Sequence, residues 1–362
     1  MEKIGCSFTI VFIIVIGFSY IESYCREHKY KLVAGNLSTV TKQSLFFWSI
    51  AFIVLLFSFT RSEDFGADLY WYKVHFFQYV DERGTSYEAL YEWLQFIFHQ
   101  FSNSFRWFMM MCSSLTLIPV LITIREEVTH RYYWIALEII CLTFLLDSFS
   151  IVRAFLGLSF VFLAYKHIKI DENGKRHIHF RFYLYGFIAV CFHRTMLVNL
   201  LLLFISSFHL SFIKRVLIGL SFLGINSIIP NLISVIIKLT NDGRYLMYVD
   251  RGASEFSLSY FLQFFTIFFI LNRYCRKNSK EEILSNYFFY MCLICFITVF
   301  PAQHRLLRQA VPLSAVGLPN IFEKIYDKRE SFFVMLVYQA IIIFAFLLSR
   351  GVVIDLIAKF GG

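Results

Sequence analysis

Residues 150–167, SIVRAFLGLSFVFLAYKH, are apolar for the length of a membrane crossing and carry charge only at Arg153 and Lys166, near the two ends. About 20 such residues in a helix cover the ~30 Å hydrocarbon layer, whereas the core helix of a soluble protein keeps a polar stripe. The pattern repeats to either side. Apolar runs of spanning length fall near 7–24, 44–60, 104–123, 132–148, 214–230, 256–271, 284–300, 304–322 and 331–349, and 180–209 holds two shorter runs broken at His193-Arg194. Together these predict an all-α, polytopic membrane protein of about 12 transmembrane helices, built as a single domain over residues 1–362.

Composition agrees. The chain is 58% hydrophobic and only 16% charged, with 45 Phe, a balance that one soluble core cannot bury. The apolar run after Lys3 is read as an uncleaved first span, because no small-x-small cleavage site follows it. Most of the eight cysteines lie inside apolar runs, where a thiol is an ordinary small apolar group. The C-x-x-C spacing of Cys292 and Cys295 has no His or acidic partner nearby, so neither a metal nor a redox cofactor is expected. The net charge of +9 sits in short clusters between spans, which is the distribution that orients helices, and nucleic acid is not an expected partner.

The basic clusters set the orientation. Segments 25–43, 124–131, 166–181, 209–216, 272–282 and 323–330 fall on one face and hold 20 of the 34 Lys and Arg, so that face is expected in the cytoplasm. The opposite face keeps 14, and ten of these are Arg. Several stand at helix ends, at Arg153, Arg194, Arg244, Arg305 and Arg308, rather than in open loops. A guanidinium at that depth either snorkels to the interface or faces a polar cavity or an anion. The set as a whole favours an anion site, because guanidinium pairs bidentately with phosphate and does not lose its proton there.

Five outward segments carry groups that suit chemistry. The longest, 61–103, forms an outward loop; it begins RSEDFGADLYWY and includes a stretch with helical periodicity, expected as an amphipathic helix lying in the interface. Five of its acids, Glu63, Asp64, Asp68, Glu88 and Glu92, are available as bases, and its Tyr and Trp suit either an interfacial belt or sugar stacking. Residues 147–153 read as a tight turn, with Gly157 one turn after Arg153 allowing close approach of another backbone or a ligand. Cys191-Phe-His193-Arg194-Thr195 is a polar break in an apolar stretch. Residues 241–251 supply Arg244, Tyr245 and Tyr248, and 301–308 supply Arg305 and Arg308 on one helix face. No metal-ligand spacing, DxD pair or Gly-rich phosphate loop accompanies them, which disfavours nucleotide-driven chemistry.

This order of features resembles the EpsG-like, Wzy-type polysaccharide polymerases of bacterial envelopes. The similarity lies in Arg61, Gly66, Asp68 and Tyr72 after an early span, then the acidic Glu88-Ala-Leu-Tyr-Glu-Trp-Leu helix. It continues through Arg153 opening a span, the basic KHIKIDENGKRHIHFR loop, the Ala189-Val-Cys-Phe-His193 run, and Arg305 and Arg308. Two departures concern packing near His193: Arg194-Thr195-Met196 and Ala154-Phe155-Leu156 stand where smaller residues are usual in the family.

The resemblance implies a metal-independent glycosyltransferase of GT-C-like membrane architecture in the bacterial inner membrane, with its active site facing the periplasm. It would make O-antigen, lipopolysaccharide or capsule glycan by moving a growing chain from undecaprenyl diphosphate to an incoming undecaprenyl-diphosphate-linked oligosaccharide. Arg153, Arg305 and Arg308, with Arg244 and Arg194, are the expected diphosphate ligands. His193 is the expected base with Asp68 as its alternative, and Tyr72, Tyr245 and Tyr248 are expected to orient sugar. The bilayer and a chain-length regulator protein are the other partners. A polymer ligase shares nearly all these features. A flippase or secondary transporter is disfavoured by the lack of pseudo-repeats and by five prolines, and a membrane O-acyltransferase by inward loops that hold little beyond Lys and Arg.

Overall fold

The computed structural model describes residues 68–78, 87–129, 132–208, 213–221, 256–297 and 303–325, with a few positions near 49–59 and at 224. The expected spans at 7–24 and 331–349 and most of that at 44–60 lie outside the described residues. What is described is almost entirely helical: α1 (Leu69–Gln78), α2 (Ala89–His99), α3 (Phe105–Glu127), α4 (Tyr133–Ile140), α5 (Leu146–Ser150), α6 (Val152–Lys166), α7 (Phe180–Phe192), α8 (Met196–Ser206), α9 (Leu258–Tyr274), α10 (Lys280–Ile294), α11 (Gln303–Ala310) and α12 (Leu318–Ile325). A π-helical turn at Cys141–Leu145 joins α4 to α5, so that Tyr133–Ser150 runs as one rod. That rod and α3 are long and apolar enough to cross a membrane. α7 and α8, at 13 and 11 residues, are shorter.

The stretch quoted at the outset becomes the central helix. Nearly every side chain of α6 from Val152 to Tyr165 is buried, because α3 packs along one side and α7 along the other. A helix apolar all round needs that enclosure. The α7–α8 pair turns back at the expected break: His193 leaves the helix with extended backbone (φ −160°, ψ 118°), and the His193 carbonyl accepts the Met196 N–H at 2.9 Å. Gly186 lies beside Leu200 in this antiparallel hairpin of helices.

One expectation is corrected and two segments are drawn more finely. The tight turn expected at 147–153 is narrower than that range, since α5 runs through Asp147 to Ser150 and only Ile151 breaks the helix before α6. The 304–322 run is not one continuous helix: it divides into α11, a 3-10 segment at Val311–Val316, and α12. Pro312 lacks the N–H that an α-helix would require there, and Gly317 follows. The basic 166–181 loop is ordered as an antiparallel hairpin, with Ile168–Ile170 (β1) paired to Arg176–Ile178 (β2). Its turn is closed by Gly174 at φ +75°, with the Lys175 N–H donating to Asp171 Oδ1 at 2.7 Å.

Helix ends segregate by charge. At one end Glu126 meets Lys166 at 2.5 Å, Glu127 meets Lys280 at 2.7 Å and Glu281 meets Lys324 at 2.9 Å. Arg176 of the hairpin pairs there with Glu282 at 2.7 Å and donates to the carbonyls of Ser206, Ser207 and Phe208, which capping at the C-terminus of α8 would otherwise leave to solvent. The Arg176 side chain is only 7% exposed, so Arg176→Ala takes the buried cation from Glu282, which keeps the Asn278 N–H at 2.6 Å, and removes the donor to those carbonyls. A loss of about 3–5 kcal/mol is expected, read as a clear fall in melting temperature of the purified protein in detergent. An unchanged melting temperature would show that the hairpin is not a structural clamp.

At the other end lies a second, smaller core. Leu69, Tyr72 and Phe76 of α1 and Tyr91 of α2 pack on Phe105, Phe108, Met109 and Cys112 of α3, Val152 and Leu156 of α6, and Phe192 of α7. Within 61–103, α1 and α2 are both seated on the bundle through this core.

Candidate functional site

The second core is a platform, and polar groups gather on it. Glu88 is the residue before α2, with extended backbone (φ −72°, ψ 142°), and its carbonyl accepts the N–H groups of Tyr91 and Glu92. The Glu92 side chain reaches back to accept the Tyr87 N–H at 2.9 Å. That reciprocal capping pins the backbone at 87–88.

The Glu88 side chain then faces two groups from other parts of the chain. One carboxylate oxygen forms an ion pair and hydrogen bond with Nη1 of Arg153, at the start of α6. The other accepts from Nδ1 of His193, at the α7–α8 tip, at 2.8 Å. A carboxylate only accepts, so Nδ1 carries the proton. Burial alone would raise the Glu88 carboxyl, but the His193 hydrogen bond and the Arg153 charge outweigh it and hold the group at about 2. It is a carboxylate at any working pH.

Aromatic rings surround the guanidinium. The Arg153 Cζ sits 3.8 Å from the Tyr87 ring centroid and 5.8 Å from that of Tyr72, and the Tyr72 hydroxyl accepts from Arg153 Nε at 3.4 Å. Tyr87 stacks in turn on His75, with centroids 3.9 Å apart. Burial, first among its causes, pushes the Tyr87 phenol up to about 12, so it remains neutral. Tyr72 is 3% exposed; expected to orient sugar, it offers no open face and contacts the arginine instead.

Beside this cluster is a second. Arg308 on α11 lies 3.5 Å from Asp147 on α5, and its Nε donates to the Tyr260 hydroxyl of α9 at 3.3 Å. Arg305 lies 3.9 Å from Asp68, just before α1. Asp68 is also close enough to act electrostatically on both Tyr87 and Arg308, which makes the two clusters one neighbourhood. His304 stands among the same charges. Thr195 at the α7–α8 tip donates to Gln309 Oε1 at 3.0 Å, tying the tip to α11.

Of the residues picked out from sequence, Arg153, His193, Asp68, Arg305 and Arg308 are thus brought together. Arg194, the residue after His193, is exposed. Arg61, Gly66, Arg244, Tyr245 and Tyr248 lie outside the described residues. Three residues were not singled out by sequence as site residues. Glu88 was one acid among seven in the loop; Tyr87 and Tyr260 were two among 21 tyrosines. The available signal for Glu88 was its place at a helix start within the family-like acidic segment.

Each of the three arginines rests against a carboxylate rather than standing open, so the charges largely balance. The Arg308–Asp147 and Arg305–Asp68 separations exceed the ~2.7–2.9 Å of a tight charged hydrogen bond, which leaves both cations room to take another anion. Among the described residues no group of three or more His, Cys, Asp or Glu is placed to hold a metal ion.

Comparison with known proteins gives the family. No curated protein and no solved structure matches the chain. The sequence model of the EpsG family matches residues 44–355, a range that contains every element of the site just described. With apolar helices of crossing length and a match over most of its length, the chain is a membrane protein that belongs to the EpsG family.

Proposed function

We propose that this chain is a polysaccharide polymerase, transferring a growing glycan from a lipid diphosphate to a hydroxyl on the incoming lipid-diphosphate-linked repeat unit. The observation that carries the proposal is the convergence of Arg153, Arg305 and Arg308 with His193 at the end of the bundle opposite the basic loops. By the positive-inside rule the basic end faces the cytoplasm, so the site faces the periplasm of a bacterial inner-membrane protein. About twelve spans, one domain over residues 1–362 and a GT-C-like arrangement complete the reading. Membership in the EpsG family supports the polymerase class.

In the transfer, the bond from the anomeric carbon to the diphosphate oxygen breaks and leaves its electron pair on the diphosphate. Preorganised guanidinium groups stabilise that developing charge. Arg153 uses Nη1 on Glu88 and Nε on Tyr72, which leaves Nη2 for a phosphate oxygen. Arg305 and Arg308 exchange their long carboxylate contacts for the second phosphate. The acceptor hydroxyl gives its proton to His193, with Asp68 as the alternative base. Arg244 and Arg194 are further phosphate ligands, and Tyr245 and Tyr248 hold sugar. The donor carries an undecaprenyl tail, and a chain-length regulator is the protein partner.

Complementation of a strain deleted for this gene tests the class, with surface polysaccharide read on a gel. The expected result of deletion is loss of the long ladder with one lipid-linked repeat unit retained. Polymer left on its lipid carrier would instead indicate a ligase, and repeat units trapped on the cytoplasmic side a flippase. For the diphosphate assignment, Arg305→Lys and Arg308→Lys are each expected to lower polymer yield about 10-fold and the pair about 10²-fold or more. A full-length ladder from the double variant would remove both from the site.

A further inference from the structure

Glu88 joins two groups that the polymerase reading uses separately. Its carboxylate holds the Arg153 guanidinium with one oxygen and the His193 imidazole with the other. The three residues come from three parts of the chain: the start of α2, the start of α6 and the α7–α8 tip. The carboxylate side chain is 12% exposed, the arginine 19% and the histidine 18%, so the contacts are partly screened from water and yet open to a substrate.

We infer that Glu88 is a positioning residue for glycan transfer, fixing His193 with Nε2 as its basic nitrogen and setting the Arg153 guanidinium toward the leaving diphosphate. The inference rests on the polymerase reading. In the transfer step the acceptor O–H bond breaks and its proton goes to His193 Nε2. The oxygen's electron pair forms the new bond to the anomeric carbon as the bond to the diphosphate breaks. The imidazolium so formed keeps its Nδ1–H on Glu88, which remains a carboxylate throughout and stabilises the new positive charge. Arg153 meets the charge added to the diphosphate. One side chain thus sets the distance between the group that takes the proton and the group that receives the leaving charge.

A purely structural account would make Glu88 a staple fastening the 61–103 loop to the bundle. The two accounts differ in kinetics. The α2 start is already pinned by Glu92 and by the buried Tyr91, so Glu88→Gln, which keeps size and one hydrogen-bonding oxygen, should leave the loop seated.

The test uses the purified full chain in proteoliposomes with a lipid-diphosphate-linked repeat unit, following polymer formed per minute. Glu88→Gln is expected to lower kcat about 10²-fold, with KM within about threefold and an unchanged melting temperature. Glu88→Asp should recover part of the rate. In a His193→Gln background, Glu88→Gln should cost clearly less than its ~10²-fold in the wild-type chain, because only its hold on Arg153 is left to lose. Wild-type turnover by Glu88→Gln overturns the inference. So does an additive loss in the His193→Gln background accompanied by a lowered melting temperature, which marks a staple. If the wild-type chain forms no polymer from the lipid-diphosphate substrate, the polymerase reading itself fails and this role with it.

Discussion

Arg153→Lys is expected to abolish long polymer in cells and to lower turnover of the purified protein by about 10²- to 10³-fold. The expectation follows from what the guanidinium does that an ammonium cannot. Arg153 makes three kinds of contact at once: an ion pair with Glu88 through Nη1, a hydrogen bond to the Tyr72 hydroxyl through Nε, and a cation–π contact over the Tyr87 ring at 3.8 Å. A lysine can keep the ion pair but has no second edge to present, and its point charge hydrates more strongly than it stacks. In the proposed reaction the unused Nη2 edge meets the leaving diphosphate, so the lysine variant loses an interaction made most strongly in the transition state. The loss should fall mainly on kcat. Its melting temperature should stay within a few degrees of wild type, because the charge opposite Glu88 is retained. A full-length ladder from Arg153→Lys would sink the assignment of Arg153 to the diphosphate.

How far the sequence foretold this arrangement depends on what each feature rests on. The α6 helix was legible because an uninterrupted apolar run bracketed by Arg153 and Lys166 has one physical reading. The helix reversal at His193-Arg194-Thr195 was legible because polar groups interrupt apolar helices at a visible position. The segregation of charge was legible from loop counts, and the structure sets Lys166, Arg176, Lys280 and Lys324 at one end and Arg153, Arg305 and Arg308 at the other.

What was not legible was pairing. Nothing local marks Glu88 out from Glu92: both lie at the start of the same helix, and only the fold shows that one faces Arg153 and His193 while the other turns back to its own backbone. Tyr72 was expected to face sugar from its place in the family-like Arg61, Gly66, Asp68, Tyr72 order; its neighbours Tyr70 and Trp71 are exposed, but the helical turn of α1 put Tyr72 on the buried side. The β1–β2 hairpin was missed because its strands are three residues each, too short to show alternation.

Gly157→Ala is expected to destabilise the protein by about 1–3 kcal/mol and to remove most polymerising activity. Gly157 lies on α6 where that helix crosses the α7–α8 tip. A Cβ there would meet Met196 Cγ at 2.8 Å and the Ala189 backbone carbonyl oxygen at 2.9 Å, with His193 Cβ at 3.5 Å. The methionine end can swing aside, but the carbonyl cannot, for it accepts the His193 N–H at 3.0 Å. Relief of the clash therefore pushes α7 away from α6 at the residue that fixes where His193 leaves the helix. Since Arg153 stands one turn earlier on α6, the displacement separates the proposed base from the proposed diphosphate ligand, and a shift of about 1 Å in such geometry can cost 10²-fold in rate. Gly186→Ala provides the comparison. Its Cβ would meet only the Leu200 side-chain tips, at 3.3 Å, which can yield, and it should cost little in either stability or rate. Melting temperature and turnover of the two variants, measured side by side, decide the matter. If Gly157→Ala matches Gly186→Ala in both, the close approach of α6 to the α7–α8 tip is not what holds His193 in place.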